Sequence, residues 1–80
     1  MKIQLIEGNF NSKDALEILT NMIHVKIKYH ENKINEISNE EDINMRETRI
    51  KRLQKDLFDI RNHIENKSGK ISMQSIINIE

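Results

Sequence analysis

Eighty residues with no cysteine, proline or tryptophan make one domain at most, near the lower limit for a single core, with no disulfide or thiolate metal site to reinforce it. Thirteen basic and thirteen acidic residues cancel, which argues against a whole-surface electrostatic grip on nucleic acid or on an anionic membrane. No apolar run has the length of a signal peptide core or a membrane span, so a soluble cytoplasmic protein is the expectation.

The first element covers about residues 2–7. Ile3 and Leu5 lie on one side, with Lys2, Gln4 and Ile6 on the other, which predicts a short strand. Gly8, Asn9 and Asn11 interrupt it, and Asn11 or Ser12 is placed to cap a helix with Asp14 in its first turn. That helix is predicted over about 12–37. Leu16, Thr20, Ile23, Ile27, His30, Ile34 and Ile37 step by four and three alternately, the spacing of a heptad seam. A turn at about 38–40 follows, with Ser38 and Glu41 matching a capping box.

The second helix, about 39–66, repeats the seam in Ile43, Arg46, Ile50, Leu53, Leu57, Ile60 and Ile64. Gly69 suits a left-handed stop after it. The last element, about 70–79, alternates Ile71, Met73, Ser75, Ile77 and Ile79 on one face and reads as a second strand. The absence of proline permits helices of this length.

The expected fold class is α+β and mostly helical, in the order β-α-α-β: an antiparallel, coiled-coil-like two-helix hairpin flanked by short terminal strands. Turning the chain near residue 40 places Ile37 opposite Ile43, Ile34 opposite Arg46, His30 opposite Ile50 and Ile27 opposite Leu53. The layers continue with Ile23 and Leu57, Thr20 and Ile60, and Leu16 and Ile64. Along the rim, Glu17 approaches Arg61 and Lys26 approaches Asp56, while Glu31 faces Glu47 and Lys33 faces Arg49. Such exposed pairs are worth tenths of a kcal/mol, so the core pattern decides the register.

Two helices side by side make a thin core. The first helix carries a second apolar stripe, Ala15, Ile18, Met22, Val25 and Tyr29, roughly opposite its seam. An isolated two-stranded ribbon is also marginal in water. Both features point to a homodimer or higher homo-oligomer, with that stripe and the strands at the interface. The competing arrangements are strands folded back over the stripe, or a different protein covering it.

The stretch MRETRIKRLQKD, residues 45–56, is rich in arginine. Arg49, Lys51, Arg52 and Lys55 are candidate nucleic-acid contacts, but Glu47, Asp56 and Asp59 interleave with them at four-residue spacing, and no aromatic residue joins them. A solvated helix face explains them better. His24 and His30 project about 120° apart and share no ion, and His63 has at best a glutamate near it. His30, on the seam, is expected to be buried and structural, and Arg46 to lay its stem over Ile34 and its head toward Glu31 or Asp42.

No nucleophile has a base in reach, no glycine-rich loop cradles phosphate, and no metal or cofactor is expected. The sequence therefore predicts a non-catalytic, homo-oligomeric interaction or scaffold module meeting a protein partner through its outer helix or its SNEED tip. A dimeric nucleic-acid-associated regulator is the alternative.

Overall fold

The computed structural model describes residues 1–36 and 39–80, in the order β1 (Lys2–Phe10), α1 (Ser12–Glu36), α2 (Glu40–Glu65) and β2 (Ile71–Asn78). The helices fold back on each other as a hairpin, and the strands pair antiparallel in a two-stranded sheet. The chain extends 47 × 32 × 14 Å.

Local chemistry sets the helix ends. Asn11 caps α1: its Oδ1 accepts from the Asp14 backbone N–H at 2.8 Å, and its carbonyl accepts from Ala15. The cap of α2 is Asn39, in extended conformation, whose Oδ1 accepts from the N–H groups of Glu41 and Asp42. The expected cap at Ser38 gives way to the next residue, and Ser38 itself, like the Ile37 of the expected first layer, lies outside the described residues. Glu40, Glu41 and Asp42 place three carboxylates in the first turn, where the helix dipole favours them. Asn39→Ala removes the one acceptor serving two orphan N–H groups. The expected cost is about 1 kcal/mol, read as a lower urea midpoint at unchanged slope.

At its other end α2 stops at Glu65, with Asn66 as the cap residue and Lys67 N–H bonded to the Ile64 carbonyl. Gly69, expected to terminate the helix, instead bends the chain into β2 at φ +88°. Ser12 Oγ donates to the Lys67 carbonyl at 3.5 Å and ties the start of α1 to the end of α2.

Strand β1 runs three residues beyond its expected end. Gly8, Asn9 and Phe10 pair with Met73, Ser72 and Ile71, and this ladder overrides their preference for turns. The register slips by one between Gln4 and Ile6, leaving Leu5 as the extra residue of a β-bulge. The bulge corrects the expected facing. Ile3 pairs with Ile77 and Ile6 with Ser75, so both lie on the face shared with Phe10, Ile71 and Met73. The opposite face carries Lys2, Gln4, Glu7 and Asn9 against Asn78, Ile76, Gln74 and Ser72. One inserted residue thus makes the ribbon amphipathic.

Every described seam position is buried or half-buried. Ile23, Leu53, Ile64 and Ala15 are the buried apolar residues and His30 the buried polar one, and of these only Ala15 is wholly enclosed. The ribbon meets α1 sparingly. Phe10 lies with Ile18 and Asn21, and Ile71 and Met73 lie with Leu19, Ile60 and Ile64 at the open end of the hairpin. Beyond that root the strands do not fold back over α1, and Val25 and Tyr29 stay exposed.

Candidate functional site

Two regions stand out: a cationic groove between the helices and the bare outer half of the ribbon.

The groove encloses about 380 Å³ and is lined by Lys26 and His30 of α1 with Arg49, Arg52, Leu53 and Asp56 of α2. His30 is 8% exposed. Its Nδ1 lies 3.0 Å from Nη1 of Arg46. A guanidinium only donates, so Nδ1 accepts, His30 is neutral, and its proton sits on Nε2. The Tyr29 ring stands edge-on to His30, and the Arg46 guanidinium lies 5.7 Å from the centre of that ring. Arg46 Nε is buried without a hydrogen-bond partner among the described residues.

Arg46 therefore departs from its expected place. No carboxylate pairs with it among the described residues; its head turns inward to His30 and Tyr29. An aromatic face and a neutral ring nitrogen hold the guanidinium where Glu31 and Asp42 do not reach it. Burial, first, and then the positive charges of Arg46, Arg49 and Lys26 hold the His30 pKa below the ordinary histidine value.

The four basic residues singled out in the sequence do not act together. Arg49 and Arg52 line the groove, whereas Lys55 is bound to Asp59 at 3.0 Å and Lys51 is exposed outside it. Lys26 joins Arg49 and Arg52 from the other helix. The antiparallel register held that signal, since it set Lys26 beside Asp56, which lines the same groove. Glu17–Arg61, Arg52–Asp56 and Glu47–Lys51 do not close to ion pairs, while Lys33–Glu36 does at 3.6 Å.

His24 and His63 are exposed, and His63 lines a separate groove with Leu19, Ile60 and Met73. Among the described residues no three His, Asp or Glu side chains gather where a metal ion would sit. No helix among them is long and apolar enough to cross a membrane.

On the ribbon, Met1, Ile3, Leu5, Ile76, Ile77 and Ile79 are each 40–79% exposed. Monomeric proteins scatter such residues; here they share one projection. Each strand also has an unpaired edge, and the two edges differ. β1 carries Lys2, Glu7 and the bulge, which blunt an edge. β2 is regular and has no charged residue from Ile71 to Asn78. Of the α1 stripe, Ala15 is enclosed by its own chain, Ile18 and Met22 are half-buried, and Val25 and Tyr29 are open.

No protein-family model, no curated protein and no solved structure matches the chain.

Proposed function

We propose that the chain is a non-catalytic self-assembly module in which two copies pair through the free edge of β2, leaving α2 and the helical tip for a protein partner. The observation that carries this reading is the ribbon's outer half: exposed isoleucines beside an uncharged, regular, unpaired strand. A second copy is the occupant because the strand suits itself. Antiparallel pairing about a two-fold axis needs only the same segment twice, and ISMQSIIN sets no charge against its copy. The product is a four-stranded sheet, which is stable where an isolated two-stranded ribbon is marginal.

The test is solution mass by light scattering on a sizing column across a wide range of loading concentrations. Twice the 9.5 kDa chain mass is expected for the unaltered protein. The double substitution Gln74→Lys with Ile76→Lys sets two lysines on one face near the middle of β2, so that with the two-fold near Ser75 the lysine at position 74 of one copy would face the lysine at position 76 of the other. It is expected to give single-chain mass with unchanged far-ultraviolet circular dichroism. Single-chain mass for the unaltered protein at every concentration would overturn the proposal. A dimer that survives the lysines but is lost in Val25→Lys would move the interface to α1.

A further inference from the structure

We infer that the groove between Lys26 of α1 and Arg49 and Arg52 of α2 is a phosphate-binding site, suited to a ligand with two or three linked phosphate groups. Three cations from two helices converge on one groove, against one carboxylate, Asp56. Asp56 stays beyond 4.0 Å of each of their nitrogens, so none of the three is neutralised by a contact ion pair among the described residues. The groove volume of about 380 Å³ falls at the small end of ligand sites. Arginine forks and a lysine ammonium are the donors that phosphate oxygens take most readily.

His30 supplies the fourth donor. With Nδ1 accepting from Arg46, its remaining polar atom is the Nε2–H, which has no hydrogen-bond partner among the described residues. Among the described residues Arg46 Nε is the one buried side-chain nitrogen or oxygen of this kind, so His30 Nε2 keeps contact with solvent although the residue as a whole is buried. Arg46 acts as a positioning residue: it fixes the tautomer in which His30 presents a proton. Leu53, buried, lines the same groove.

The site is distinct from the ribbon, and either proposal can fail without the other. Clustered like charges destabilise a fold unless something answers them. Lys26, Arg46, Arg49 and Arg52 stand around one histidine, with Asp56 the only acid lining that groove among the described residues. A bound oligophosphate would answer them.

The experiment is a titration of the full chain with sodium tripolyphosphate at constant ionic strength, following the three histidine ring signals by NMR. The His30 signal is expected to move and saturate with Kd below about 1 mM, while His24 and His63 stay in place as internal controls. Arg49→Gln and Arg52→Gln, both exposed substitutions that leave the core intact, are each expected to raise Kd about tenfold. A single-stranded oligonucleotide forms the second arm. Tighter binding than tripolyphosphate with the same arginine dependence assigns the phosphates to a nucleic-acid backbone; no gain assigns them to a free oligophosphate. The inference falls if His30 does not move, if all three histidines move alike, or if both glutamine variants bind as the unaltered chain does.

Discussion

Ile64→Ala is expected to cost about 3 kcal/mol and to leave much of the chain unfolded at room temperature. Ile64 is 3% exposed, the most enclosed large apolar residue among the described residues. It sits in the last turn of α2, where Leu19 and Ile60 of the helices meet Ile71 and Met73 of the ribbon root. Truncation removes apolar burial and leaves a void among Leu19, Ile60, Ile71 and Met73. Small domains of this size hold only a few kcal/mol in reserve. Phe58, a larger side chain on the same helix, is 66% exposed, and Phe58→Ala is expected to change stability by less than about 0.5 kcal/mol. Urea unfolding followed by circular dichroism, at one fixed protein concentration, compares the two. Equal losses would mean that the seam does not carry the stability assigned to it.

The second large effect is acid sensitivity through His30. Its folded pKa is depressed below the ordinary value of 6.5, so the unfolded chain takes up the proton first. The stability His30 supports is fully present above about pH 6.5 and is lost as pH falls toward the folded pKa, at up to about 1.4 kcal/mol per pH unit. The surroundings set the sign. Burial is the first cause, and Lys26 from α1 with Arg46 and Arg49 from α2 add positive charge; Arg52 and the opposing Asp56 line the same groove. A second ring proton would also displace the Arg46 hydrogen bond at Nδ1. Melting curves of the unaltered protein and His30→Leu between pH 7 and pH 5 isolate the effect, because carboxylates elsewhere titrate in both. A steeper decline is expected in the unaltered protein. Parallel declines would show that His30 accepts its proton at no cost.

The helical part of this fold was legible because its periodicity is long and redundant. Two seams read independently implied one hairpin, and every described seam position lies inward. The ribbon was less legible. A bulge adds one residue without a compositional mark, and since Leu5 and Ile6 are both apolar, either phase of β1 looked amphipathic. Turn-forming Gly8 and Asn9 enter a strand because a partner strand offers them a ladder, a long-range effect that local preference does not record. At the groove, the register brought Lys26 to Asp56 but did not reveal its company with Arg49 and Arg52. Arg46 was misread for a simpler reason. A long flexible side chain with carboxylates nearby was assigned to them, and the structure gives it to an aromatic ring and a histidine.

The pairing of β1 with β2 has a bearing on the order in which the molecule is built. Every rung of that ladder, from Lys2 with Asn78 to Phe10 with Ile71, has the whole helical hairpin between its partners. Closing so long a loop from an unstructured chain carries a large entropic cost, whereas the hairpin turns on itself locally and then holds the two strands side by side. The ribbon is therefore expected to form last, and a chain that has not docked its helices offers no β2 edge aligned by its β1 partner. Pairing of two copies through β2, as proposed above, would then be confined to copies that have finished folding.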